Sequence, residues 1–281
     1  MVTLKNEFLY VEIEELGAEI RKVICEGESR MWTGNPEYWG KVAPVMFPIC
    51  SGLPDDKFTL DGKEYSMGKH GFAKDQLFVL EKKTPISATF LLRDNEETLK
   101  QYPWHFEFRI TYTLRATAIE VSYATKNTSQ STMYYSVGSH EAYYCEGGIE
   151  NYDVIFERKE TLYNYMYDVA PQEFLILKDS NVLPLYEKYF DADCVVLKDH
   201  KSRFVTLRNR RTGKEVSVEF AGFDYLLLWH VKGAEYICIE PWAGICPAKD
   251  ATGYDITEKE GIISLEPSEE KILKHTIYYG N

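Results

Sequence analysis

Apolar and polar residues alternate along much of the chain. From His105 to Leu114 every even-numbered position is apolar and every odd-numbered one polar. A period of two sends successive side chains to opposite faces, so this stretch predicts a strand with one buried face. Ile119, Val121 and Tyr123 alternate in the same way with Glu120, Ser122 and Ala124. Val216, Val218 and Phe220 alternate with Glu215, Ser217 and Glu219. Phe8 and Tyr10 start a similar pattern, and a last strand is predicted from Ile272 to Tyr279. Asp61-Gly62, Thr212-Gly213 and Lys232-Gly233 supply turn chemistry between such runs. Helical signals are sparse: residues 95–103, with Glu96, Glu97, Leu99 and Lys100 before Pro103, predict one short helix. No strand–helix alternation is visible, which excludes a doubly wound parallel sheet. No linker-like stretch interrupts the pattern. The expectation is one all-β domain over residues 1–281, a large antiparallel sandwich.

Composition narrows the function classes. A chain of 281 residues buries a full core without disulfide or metal staples. Lys and Arg total 32 against 44 Asp and Glu, a formal charge of −12. A field of that sign repels nucleic acid and anionic lipid, and it disfavours a phosphorylated substrate. The basic run Arg208-Asn209-Arg210-Arg211 precedes Thr212-Gly213 and reads as a solvated hairpin end. The six cysteines (25, 50, 145, 194, 238 and 246) contain no C-x-x-C pair. The N-terminus lacks a basic and apolar leader pattern, and no apolar run has the length of a membrane span. A reduced, cytoplasmic protein without metal or cofactor is the expectation.

Three segments place titratable groups among small and aromatic residues: Gly68 to Asp75 around His70, Ser136 to Tyr144 around His140, and Tyr236 to Gly244 around Glu240. In the third, strand alternation puts Tyr236, Cys238 and Glu240 on one face and Ile237 and Ile239 on the other. Pro241 then interrupts the ladder and Trp242 offers a flat surface. A carboxylate there suits a general base beside a stacked sugar; a rim carboxylate before a turn is the bland alternative. His70 and His140 carry the same two readings, functional or structural. His230 reads as a rim residue. Nucleophile-elbow and phosphate-loop patterns are absent. A zinc site of His70, His140 and Glu240 is chemically allowed but has no close ligand pair to anchor it.

These segments resemble a known family. Tyr38-Trp39-Gly40-Lys41-Val42-Ala43-Pro44-Val45-Met46-Phe47-Pro48-Ile49 is similar to its W-G-x-x-A-P-x-L-F-P run. His70-Gly71-Phe72-Ala73-Lys74-Asp75 resembles its H-G-F-A-R-D, Gly138-Ser139-His140 its G-x-H, and Cys238 to Gly244 its C-I-E-P-W-x-G. The order and spacing match over essentially the whole chain. The family is the aldose 1-epimerases (galactose mutarotase-like), in a LacX-like branch. The resemblance implies a large antiparallel β-supersandwich with a sugar cleft, and cofactor-free interconversion of the anomers of a monosaccharide. It further implies Glu240 as general base, His140 as general acid, and His70 and Asp193 as sugar-binding residues; Trp242, from the strand pattern, is the expected flat surface for the sugar. Three positions depart from the pattern. Gly52 stands where the family has a sugar-contacting arginine, and Glu141 replaces a proline, adding a negative charge beside the proposed acid. Lys74 replaces the arginine of H-G-F-A-R-D. A hexose-6-phosphate mutarotase, a sugar-binding module with decayed catalysis and a metallohydrolase are the alternatives.

Overall fold

The computed structural model describes residues 1–165, 173–245 and 254–280; Cys246 lies outside the described residues. The predicted strands form, but near the N-terminus the buried face of Leu9–Ile13 is Leu9, Val11 and Ile13, with Phe8 exposed before the strand and Tyr10 on the outer face. Phe106–Arg115 buries its even-numbered positions without exception and pairs along its length with Ala118–Asn127. They are central in a nine-stranded antiparallel sheet. Its order is Glu173–Pro184, Tyr152–Tyr165, Phe204–Asn209, Glu215–Glu219, Glu270–Tyr279, Ala118–Asn127, Phe106–Arg115, Ser87–Arg93 and Val79–Lys83. Asp61 and Gly62 both take positive φ, 50° and 76°, and close a two-residue hairpin between Lys57–Leu60 and Lys63–Ser66. The helix forms at Glu96–Gln101, capped by Asn95, whose side chain accepts from Glu97 N and Thr98 N.

A second antiparallel sheet carries the residues of interest. Tyr236–Ala243 lies between Tyr225–Trp229 on one side and the short strands Val137–Gly138 and Ala142–Tyr144 on the other, with Cys194–Leu197 at the far edge. Val195, Leu197, Leu226, Leu228, Ile237 and Ile239 turn inward and join the main core, which the nine-stranded sheet closes with Phe108, Ile110, Val121 and Ile277. Cys194–Leu197, Tyr225–Trp229 and Tyr236–Ala243 also bury their outer face. Val196, Tyr225, Leu227 and Trp242 form one apolar cluster there, and Tyr236 and Cys238 another. Trp32, Trp39, Met46 and Cys50, from the segment preceding these strands, pack on this outer face. The basic run at Arg208 to Arg211 does end a hairpin, held by acidic neighbours: Arg208 by Glu215, Arg210 by Asp153 and Arg211 by Glu146.

Candidate active site

Strand register brings His140 to Glu240. Gly138 is opposite Trp242 and Ala142 opposite Cys238, so the position midway, 140, falls across from 240. His140 Nδ1 lies 3.3 Å from Glu240 Oε1. The contact is close but lacks hydrogen-bond alignment, and Nδ1 has no other partner among the described residues. Glu240 is 1% exposed and His140 8%. As alternation predicted, Glu240 shares the outer face with Tyr236 and Cys238, whereas Ile237 and Ile239 point into the core; the ladder does not stop at Pro241, however, but runs on to Ala243, which puts Trp242 on the outer face as well.

Trp242 does something other than offer a flat surface. Its indole is 4% exposed, and Nε1 donates to Glu240 Oε2 at 3.1 Å and to the Ser139 carbonyl at 3.3 Å. It therefore fixes the carboxylate against the loop that carries His140. The stacking surface beside His140 belongs to Trp39, whose ring lies 4.9 Å away at 29°. Trp229 approaches the same imidazole edge-on at 5.3 Å. Both indoles are partly exposed. Sequence reasoning did not give Trp39 this place, although it leads the W-G motif.

His70 enters from the loop after Met67. Its ring stands 5.7 Å from that of His140 and 5.6 Å from that of Trp242, nearly perpendicular to both. Two bonds fix it: His70 N donates to Ser51 O at 2.7 Å, and Ser51 N donates to His70 Nδ1 at 3.1 Å. With Nδ1 an acceptor, the neutral ring carries its proton on Nε2. The next residue explains why the F-P and H-G-F motifs travel together. Gly71 has φ +66°, and a Cβ there would sit 2.3 Å from Phe47 O. Phe72 and Ala73 both donate their N–H to that same carbonyl. Lys74 closes this loop on itself, donating to Gly71 O at 2.6 Å.

Asp193 is at the rim, with φ 125°. It accepts the Trp229 Nε1 proton at 3.0 Å and faces Lys69 Nζ at 3.7 Å. Gly52 is half-buried, and a Cβ there would meet nothing within 4 Å, so the arginine position opens onto space. His230 is 4% exposed, with Nδ1 2.8 Å from Tyr236 O, a strand-joining contact behind the rim.

Two expectations need correction. Glu141 does not press its charge against His140. Its side chain turns to the opposite face of the sheet, where Oε1 lies 2.9 Å from Nε2 of His275 on the nine-stranded sheet. The pair is buried and links the two layers. The zinc set His70, His140 and Glu240 is not what the fold assembles either. Among the described residues, the cluster with metal-ligand spacing is His140, Cys238 and Glu240.

Burial sets the proton positions. It pushes the Glu240 carboxyl well above the ordinary carboxylate range, against the opposing pull of the Trp242 N–H. It pulls His140 down to about 3, and the neighbouring Lys69 charge adds to that. His70 is pulled down too, by burial first and then by His140 and nearby lysines. The dry site thus favours neutral imidazole and carboxylic acid over imidazolium and carboxylate. Each ion would lose more hydration than one misaligned 3.3 Å contact returns.

Known proteins share this architecture. A family model described as aldose 1-epimerase matches residues 1–251. The chain is 31% identical to the chromosomal LacX protein of Lactococcus lactis subsp. lactis, over 97% of this chain and 94% of that one. A galactose mutarotase related enzyme from Lactobacillus acidophilus superposes with a TM-score of 0.92 at 33% identity, covering 100% of this chain and 97% of that one. A galactose mutarotase-like protein from Lactobacillus casei gives 0.91 at 26%, covering all of both chains. The fold is the galactose mutarotase-like β-supersandwich, and the chain belongs to the aldose 1-epimerase family.

Proposed function

We propose that the protein is a mutarotase that interconverts the α and β anomers of an unphosphorylated aldose. The observation that carries this reading is the opposed pair His140 and Glu240 at the bottom of an aromatic-walled site. Burial leaves the pair sharing one proton, held on Glu240. That is the number needed for imidazolium facing carboxylate, so only the proton's position must change. Sugar hydroxyls entering the pocket supply hydrogen bonds that favour the charged arrangement. Glu240 then takes the proton of the anomeric hydroxyl while His140 protonates the ring oxygen, and the ring opens. Rotation about C1–C2 and reclosure return both protons, so no cofactor is consumed. Trp242 holds the carboxylate in line, and His70 Nε2–H donates to a sugar oxygen. Trp39 and Trp229 flank the sugar, and Asp193 accepts from a hydroxyl at the rim.

Polarimetry of freshly dissolved α-glucose or α-galactose tests this. Glu240→Gln and His140→Gln are each expected to lower kcat by about 10²–10⁴-fold, the usual contribution of one positioned acid or base. Unchanged rates in both variants overturn the assignment. One observation favours a second reading, a sugar-binding protein with weak catalysis: the open space at Gly52 lacks the family's charged donor. Calorimetric binding of galactose without acceleration of anomer exchange would select that reading.

A further inference from the structure

Cys238 has no part in the proposed acid–base chemistry, yet it lies close to both groups that do. It is fully buried on the outer face of Tyr236–Ala243, and its thiol is free. One ligand atom each from His140, Cys238 and Glu240 lies within 4.8 Å of the others. We propose that these three side chains form a zinc-binding site, and that zinc bound there silences the protein reversibly.

Four observations support it. The donor set is one thiolate sulfur, one imidazole nitrogen and one carboxylate oxygen, which selects zinc over the oxygen-seeking magnesium and calcium. The spacing is near what zinc needs: bonds of about 2.0–2.3 Å in a tetrahedron put ligand atoms roughly 3.3–3.8 Å apart. His140 and Glu240 already stand at 3.3 Å, and the sulfur belongs to a set whose ligand atoms all lie within 4.8 Å of one another. Nδ1 of His140 is buried without a hydrogen-bond partner among the described residues, a lone pair or N–H that none of them satisfies. The charges also balance: thiolate and carboxylate together neutralise the dication, which suits a dry pocket. On binding, the thiol proton and the proton of the His140–Glu240 pair leave to solvent, and sulfur and oxygen bond to the metal. The fourth position stays open for water or a sugar hydroxyl.

Metal binding is independent of the mutarotase reading; the silencing rests on it, because zinc would occupy both acid and base. Titration of the metal-free protein with cobalt(II) reads the first directly. One equivalent is expected to produce a near-ultraviolet sulfur-to-cobalt charge-transfer band, and one equivalent of zinc to abolish it. Cys238→Ala and His140→Gln should each remove the band, while Cys145→Ala and His70→Gln keep it. Having two variants that should lose it protects the test if one fails to fold, which circular dichroism will show. Zinc at about ten times its Kd should slow wild-type anomer exchange about tenfold by simple saturation, and a chelator should restore it. A protein that shows no band, or whose band survives Cys238→Ala, overturns the zinc site whatever its activity. A protein that binds one zinc but never accelerates mutarotation leaves the site standing and overturns the function proposed above.

Discussion

At the scale of single residues, the indole of Trp242 separates two roles that a sequence motif merges. An aromatic after Glu-Pro suggests a stacking surface, and nothing in the sequence says which face of it stays open. In the fold the ring is covered, and only its N–H matters to the site, as a donor to Glu240. Trp242→Phe keeps the packing and removes the donor. Glu240 then loses the one hydrogen bond that opposes burial, so its carboxyl moves further up. A hydrogen bond to a charged group is worth about 1.5–3 kcal/mol, so kcat should fall at least about tenfold with KM nearly unchanged. The acidic limb of the pH–rate profile should move to higher pH. A raised KM at constant kcat would mean that the ring meets the sugar after all. His140, Glu240 and His70 were legible as candidates because small and aromatic residues surround them. Glu141 was misplaced because its neighbours in sequence are not its neighbours in space: His140 and Glu141 point to opposite faces, and the partner of Glu141 is His275.

At the scale of elements, legibility followed the regularity of burial. Phe106–Arg115 and Ala118–Asn127 each bury one face and alternate cleanly. Tyr152–Tyr165 escaped detection although it buries its even-numbered positions, Arg158 excepted: two of the buried residues, Glu160 and Asn164, are polar, and Ile155, Tyr163 and Tyr165 on the other face are apolar, so hydropathy does not alternate where burial does. Tyr225–Trp229 is covered on both faces, so it reads as a plain apolar run that periodicity cannot assign. The G-x-H element shows why its glycine is required. A Cβ at Gly138 would stand 2.8 Å from Cδ1 of Trp242, 2.9 Å from Cε of Met46 and 3.0 Å from Sγ of Cys50. All three are side-chain atoms, so Gly138→Ala should fold, at the overpacking cost of about 1–3 kcal/mol in urea denaturation. The displaced indole should also lower kcat. A variant of full stability and full activity would show that Val137–Gly138 has slack that the geometry denies.

At the scale of the whole molecule, burial of titratable groups makes stability depend on pH in two opposed ways. Burial lowers His70, His140, His200 and His230. The unfolded chain therefore takes up these protons near the ordinary value of 6.5 while the native state refuses them. That stability is complete above 6.5 and is lost as pH falls. Glu240 runs the other way. Its native carboxyl holds a proton that the unfolded chain releases above 4.5, so its contribution is present below 4.5 and lost as pH rises through the native value. Just above 4.5 the two shifts oppose each other: the native pair keeps its proton on Glu240, whereas the unfolded chain has released that one and holds one on His140. The two contributions to the slope then cancel, and the other histidines set it. Glu240→Gln removes half of this compensation. Its stability should fall more steeply than wild type as pH falls toward 4.5, by about 1.4 kcal/mol per pH unit, one extra proton. As pH rises it should lose the decline that the raised Glu240 carboxyl predicts for wild type. Urea midpoints measured across pH 5 to 9, roughly the range in which buried histidine and carboxyl groups titrate, check both limbs. Parallel curves for the two proteins would mean that Glu240 is ionised in the native state, with His140 already holding the shared proton before any sugar arrives.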